Sequence, residues 1–240
     1  MLRLAGFQRR HGPGARSGGV RALSYRVVVF DCDGTLVDSA ALILAAMERA
    51  FVAARREPPP ETLVRNIVGL TLVNAMAVLV PDAEVEEHLH LAEHYKTAFA
   101  TLRAEGHHDE ALFPGIGELL DDLDEAGRLL AIATGKSRRG LEHLVEKHGW
   151  GGRFVSLQTS DVHPSKPHPA MLLQAISDAG GRPEEAVMIG DTSYDIAMAK
   201  AAAAAAIGVS WGHHAPILLR DAGADAVVDD VAELRALLLP

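Results

Sequence analysis

Hydrophobic positions along this chain follow two different periods. Val27 to Phe30, Arg128 to Ala133, Phe154 to Leu157 and Ala186 to Ile189 are apolar at nearly every position. Continuous apolar runs of that length predict strands buried on both faces of a parallel sheet. Ala206 to Val209 and Ala226 to Val228 extend the series. Apolar residues at three- and four-residue spacings predict helices between these runs, over Ile116 to Ala126, Arg138 to His148, Ala170 to Ala179 and Val231 to Leu239. Strands alternating with helices predict an α/β fold built on a parallel sheet.

One block breaks the alternation. Leu42, Ala45, Ala46, Met47, Ala50 and Phe51 mark a helix over Ala40 to Arg56, closed by Pro58-Pro59-Pro60. Further helices are expected over Glu61 to Ile67, Leu72 to Leu79 and Ala83 to Leu102, the last with Val85, Leu89, Ala92, Tyr95 and Phe99 on one side. No stretch there reads as a strand. The expected organisation is a core of residues 25–39 and 113–240, with residues 40–112 inserted as an all-helical cap domain. Phe113-Pro114-Gly115 is the natural second hinge.

Each apolar run ends in polar chemistry, and in an open α/β sheet ligands bind at the carboxyl ends of the strands. The first ends in Asp31-Cys32-Asp33-Gly34-Thr35, two carboxylates followed by a glycine that lets backbone approach a ligand. The second ends in Thr134-Gly135-Lys136-Ser137, where a hydroxyl, a glycine amide and a helix start, capped by Ser137, can cradle an oxyanion or phosphate. Lys166 follows the third run, stiffened by Pro167 and Pro169, and His168 beside it is a weaker candidate. The fourth ends in Gly190-Asp191-Thr192-Ser193-Tyr194-Asp195, its acids one helical turn apart. Taken singly these are a turn, a surface lysine and a helix cap. Together, Asp31, Asp33, Asp191 and Asp195 would repel one another without a cation, and hard oxygen ligands of this kind suit Mg²⁺.

Composition narrows the partners. The 240 residues carry a formal net charge of -9, which disfavours nucleic acid and anionic membrane. A small anionic substrate would need local positive charge. No apolar run approaches the ~18 residues of a membrane span, and the single cysteine, Cys32, excludes an internal disulfide and suits the cytoplasm. Residues 1–24 hold five arginines, no acid and five glycines, a composition expected to form a disordered tail and compatible with an organelle leader. His88, His90 and His94 are expected at the surface, and His213-His214 near the entrance of the site. Monomer and homodimer are both left open.

Asp-x-Asp-Gly-Thr-Leu-Val-Asp-Ser after an apolar strand resembles the first motif of the haloacid dehalogenase-like superfamily. Thr134, Lys166 and Gly-Asp-x-x-x-Asp from Gly190 match its other three motifs. The position of the helical block resembles its phosphoglycolate phosphatase-like subgroup, whose cap follows the first motif. The resemblance implies a Rossmann-like, doubly wound parallel sheet of strand order 3-2-1-4-5 and hydrolysis of a small phosphomonoester through an aspartyl phosphate. Asp31 would be the nucleophile and Asp33 the general acid and base. Mg²⁺ would be held by the Asp31 carboxylate, the Asp33 backbone carbonyl and Asp191, with Asp195 in support. Thr134, Gly135 and Lys166 would hold the phosphoryl oxygens. Arg49, Arg65 and Asn66 are cap residues with the chemistry to touch substrate. A β-phosphoglucomutase-like mutase keeps the same core and is the alternative. A dehalogenase has no use for Asp33, and a non-catalytic binding protein would normally have lost a carboxylate. The uninterrupted Ala201 to Ala206 departs from the family, which usually has a glycine-containing turn there, and puts local stability in doubt.

Overall fold

A computed structural model describes residues 25–106 and 109–239. The expected tail, residues 1–24, lies outside the described residues. In chain order the elements are β1 (Val27–Phe30), β2 (Val37–Asp38), α1 (Ala40–Ala53), α2 (Glu61–Asn66), α3 (Leu72–Leu79), α4 (Val85–Glu105) and β3 (Ala111–Leu112). There follow α5 (Ile116–Glu125), β4 (Leu129–Thr134), α6 (Arg138–Lys147), β5 (Phe154–Thr159) and α7 (Ala170–Asp178). A 3₁₀ turn (Pro183–Glu185) leads to β6 (Ala186–Gly190), α8 (Ser193–Ala201), β7 (Ala205–Val209), α9 (Pro216–Asp221), β8 (Ala226–Val228) and α10 (Val231–Leu238).

Six strands form one sheet in the order β5-β4-β1-β6-β7-β8, all neighbours parallel. The implied order is present, with β8 added at one edge. Val28 and Phe30 point into one apolar layer with Leu119, Leu123, Leu141 and Leu234, while Val27 and Val29 point into the other with Met171, Ile176, Ile196 and Leu219. Period-two alternation on β1 therefore serves both faces at once, which is why its sequence shows no polar residue. The chain fills one side of β1 with β4 and β5, then crosses over to β6 on the other side. The crevice where the order reverses opens at the carboxyl end of β1, above Asp31.

Helices α1 to α4 build their own core around Met47, Phe51, Met76 and Leu91, with Leu42, Ala46 and Leu102 packed alongside. Their block joins the sheet through β2 and β3, a two-stranded antiparallel ribbon pairing Val37 with Leu112 and Asp38 with Ala111. The sequence pattern missed both strands, since two residues carry no readable period. The loop between α2 and α3 rests on the sheet's rim. Tyr194 donates its hydroxyl hydrogen to the Asn66 carbonyl at 3.0 Å, and the Thr71 amide donates to Ser165 Oγ at 3.0 Å. A Cβ on Gly135 would sit 2.6 Å from the Gly69 carbonyl oxygen, so only glycine allows this approach.

Three expectations are corrected. Helix α1 ends at Ala53, ahead of the prolines, where Arg55 turns left-handed at φ 58°. His88 is buried, its Nε2 at 2.8 Å from the Val80 carbonyl; His90 and His94 do lie at the surface, their rings in contact. The alanine run is split: α8 ends, Ala203 takes φ 57°, and β7 begins two residues later. Alanine thus occupies the left-handed turn that glycine would enter without strain.

Candidate active site

Asp31, at the end of β1, is fixed by its amide, which donates to the Ile189 carbonyl of β6 at 2.9 Å. Its carboxylate is 1 % exposed and faces Lys166, whose Nζ lies 3.0 Å from Asp31 Oδ1 and 2.6 Å from Asp195 Oδ1. Asp195 closes a capping box at the start of α8. Its Oδ2 accepts from the Thr192 amide at 3.1 Å and the Thr192 hydroxyl at 2.7 Å. A motif that could have been only a surface helix cap is here a buried cap that also holds the lysine.

Asp191 lies at the end of β6. Thr35 donates its hydroxyl to Oδ1 at 2.9 Å and the His213 amide donates to Oδ2 at 2.8 Å. A Cβ on Gly34 or Gly212 would come within 2.2 or 2.3 Å of this side chain, so both glycines are needed for the carboxylate to fit. Ligand oxygens of Asp31, Asp191 and Asp195 all lie within 4.8 Å of one another. Burial, then the neighbouring acids Asp195 and Asp33, hold Asp31 up at about 6 against the pull of Lys166. Burial, with Asp195 and Asp31 beside it, raises Asp191 as well. One lysine cannot balance three buried carboxylates; that deficit and the hard-oxygen set fit a divalent cation held between Asp31 and Asp191.

Asp33 stands apart from that cluster. Its Oδ1 is 2.9 Å from Lys136 Nζ, which also lies 3.1 Å from Glu110 Oε1. Burial opposes ionisation of Asp33, but the Lys136 ammonium outweighs it and holds the carboxyl below its ordinary range. Thr134 is buried at the end of β4, its Oγ1 accepting from the Lys136 amide at 3.2 Å, and Gly135 follows. Ser137 caps α6, accepting from the Gly140 amide at 3.3 Å.

A cavity of about 660 Å³ separates core and helical block. Asp31, Asp33, Thr134, Gly135 and Lys136 line it from below, and Met47, Tyr95, Phe99 and Arg103 from above. Lys166, Asp191 and Asp195 are buried and form no part of its wall. The cap residues singled out by chemistry are elsewhere: Arg49 pairs with Glu105, Arg65 with Glu61, and the Asn66 carbonyl is taken by Tyr194. His213 and His214 are buried rather than at an entrance. His214 Nδ1 accepts from the Ser193 amide, and burial pushes the His213 imidazole down to about 4. His168 is exposed. Sequence reasoning missed Lys136 and Glu110. Lys136 sat in plain view inside the second strand-end turn, whereas Glu110 carries no local signal.

Fold and site together define a capped α/β enzyme whose strand ends gather carboxylates, a buried lysine and a threonine–glycine turn around one crevice. The chain belongs to the haloacid dehalogenase-like hydrolases: the family model matches residues 28–209. It is 34% identical over 220 residues to a phosphoglycolate phosphatase of Pseudomonas putida, covering 89% of this chain and 78% of that protein. It is 32% identical over 216 residues to a phosphoglycolate phosphatase of Agrobacterium fabrum, covering 87% and 90%. Among solved structures, a hydrolase from Pseudomonas syringae superposes with a TM-score of 0.79 at 26% identity, covering 88% of this chain and 97% of that one.

Proposed function

We infer that this protein is a Mg²⁺-dependent phosphomonoesterase acting on a small phosphorylated metabolite of the phosphoglycolate type. The observation that carries this is the meeting of Asp31, Asp191, Asp195 and Lys166 in one buried cluster whose Asp31 edge opens, with Asp33 and Thr134, into the cavity. Asp31 attacks phosphorus, the bond to the leaving oxygen breaks, and an aspartyl phosphate forms. Asp33 gives a proton to the departing oxygen. It then takes one from the water that attacks the aspartyl phosphate, releasing phosphate and restoring Asp31. In the free protein Asp33 is held ionised by Lys136; a phosphate dianion arriving beside it raises its proton affinity and allows it to act as the acid.

The Thr134 hydroxyl and the Gly135 amide, both lining the cavity, would receive phosphoryl oxygens. Lys166 neutralises Asp31 from behind and lowers the repulsion between nucleophile and phosphate. The Asp31 carboxylate, the Asp33 backbone carbonyl and Asp191 would hold the Mg²⁺, while Asp195 supports from its engaged position. Bound there, the cation supplies charge neutralisation at the phosphoryl oxygens. The helical block excludes water from the cavity, as lids do. No feature of the site favours the mutase alternative. Among the described residues no helix is long and apolar enough to cross a membrane; a cytoplasmic location is part of this proposal.

The test is a phosphate-release screen over phosphoglycolate, sugar phosphates, nucleotides and p-nitrophenyl phosphate, with Mg²⁺ and with chelator. The expected outcome is Mg²⁺-dependent release, fastest with a small carboxylated ester. No release from any monoester would defeat the reading.

A further inference from the structure

Among the described residues, Lys136 is a buried cation at the cavity that neither touches the proposed nucleophile nor is assigned to a phosphoryl oxygen. Its side chain is 6 % exposed and lies between two carboxylates, Asp33 at 2.9 Å and Glu110 at 3.1 Å, with the Phe99 ring 5.2 Å from its ammonium. Glu110 immediately precedes β3, the second strand of the ribbon that joins helical block to core. Its backbone carbonyl is tied to the core by His148 Nε2 at 2.9 Å, and its own carboxylate, 2 % exposed, also accepts from Arg103 Nε of α4 at 2.8 Å. Four charges of alternating sign, Asp33, Lys136, Glu110 and Arg103, thus run from the proposed acid to the cap. Both ends of Lys136's charge are already matched, so it is poorly suited to capturing a second anion on the substrate. It is well suited to holding a carboxylate in one orientation.

We propose that Lys136 is a positioning residue that aims the Asp33 carboxyl at the leaving oxygen, and that Glu110 holds Lys136 in place from the hinge. At the wall of the cavity the Asp33 carboxyl is gripped by the Lys136 ammonium. With Lys136 anchored through Glu110 to the ribbon and to Arg103, the acid is aligned when the helical block is seated over the core as it is here. In the step concerned the P–O bond breaks, its electron pair stays on the leaving oxygen, and that oxygen takes the Asp33 proton.

The proposal rests on the phosphatase reading, and leaving-group dependence separates the two. An alkyl phosphate without a second charge, such as propyl phosphate, needs a proton on its departing alkoxide, whereas p-nitrophenolate departs without one. For Lys136→Met, kcat/KM, which reports only the steps up to departure of the leaving group, is expected to fall about 10²-fold or more on propyl phosphate, the size of a general-acid contribution, with a loss of about tenfold or less on p-nitrophenyl phosphate. Glu110→Gln is expected to show the same split at smaller size. The p-nitrophenyl phosphate rate itself reports that each variant is folded. Equal losses of kcat/KM on the two esters overturn the proposal. A wild-type chain inactive on both esters defeats the phosphatase reading first, and is recognised before any variant is compared.

Discussion

Lys166 has no exposed side-chain surface and two carboxylates within 3.0 Å, which makes it a structural counter-ion whatever part it takes in the proposed chemistry. Removing one partner of a buried ionic cluster leaves the others uncompensated, at a cost of roughly 3 kcal/mol or more. Lys166→Met is therefore expected to lower Tm measurably as well as to weaken turnover; a variant with unchanged Tm would contradict the burial argument. The same cluster sets a pH sign. Asp31 is raised to about 6 and Asp191 is raised as well, so the folded, metal-free chain binds protons more tightly than the unfolded chain. That penalty is absent below the ordinary carboxylate range and grows as pH climbs toward 6. A cation that binds the ionised cluster removes it. Saturating Mg²⁺ is expected to raise Tm by about 5 °C near pH 7.5 and by clearly less near pH 5, read by thermal melts. An equal shift at both would count against these carboxylates as the ligands. The candidate set was legible at this scale because Asp31, Asp33, Thr134, Asp191 and Asp195 lie at or just past the ends of apolar runs, and Lys166 stands beside prolines in the loop after the third run. Glu110 was not: its importance comes from a fold contact with Lys136, 26 positions away in sequence.

At the scale of elements, the central strands were legible because burial on both faces leaves no polar residue to blur them, as Val27 to Phe30 and Ala186 to Ile189 show. The ribbon of β2 and β3 was not, since Val37–Asp38 and Ala111–Leu112 are too short to carry a period and owe their pairing to the insertion they bracket. The alanine run separated two tendencies. Helix propensity carries α8 to Ala201, but the chain must then turn sharply to enter β7, and Ala203 takes the left-handed conformation to do so. Ala203→Gly is expected to relieve that strain and stabilise the protein by about 1 kcal/mol, net of the entropy glycine adds to the unfolded chain. A chemical denaturation curve showing the variant less stable would mean that the turn carries no strain.

The whole molecule is a sheet with a lid resting on one rim, and its contacts concentrate at the loop of residues 66–71. That loop touches Tyr194, Ser165 and Gly135, each within the proposed catalytic motifs or adjacent to one of their residues. The helical block thus touches the sheet rim beside residues of the proposed motifs. Gly135→Ala places a methyl 2.6 Å from the Gly69 carbonyl and is expected to lift the loop, raising KM about tenfold with little change in Tm. An unchanged KM would show that the lid does not need this approach. The sequence shows where the helical block is inserted, but not which of its residues face the cavity. Tyr95, Phe99 and Arg103 do, and Arg49 and Arg65 do not, because helix packing against the core decides which face turns inward.

The central claim is that Asp31 attacks phosphorus, and the most direct measurement is p-nitrophenyl phosphate turnover in Mg²⁺ by wild type and Asp31→Asn. The amide keeps the shape of the side chain but is a poor nucleophile, so turnover is expected to fall by about 10³-fold or more while Tm stays at or above the wild-type value. Asp31→Asn turnover at the wild-type rate would contradict the account.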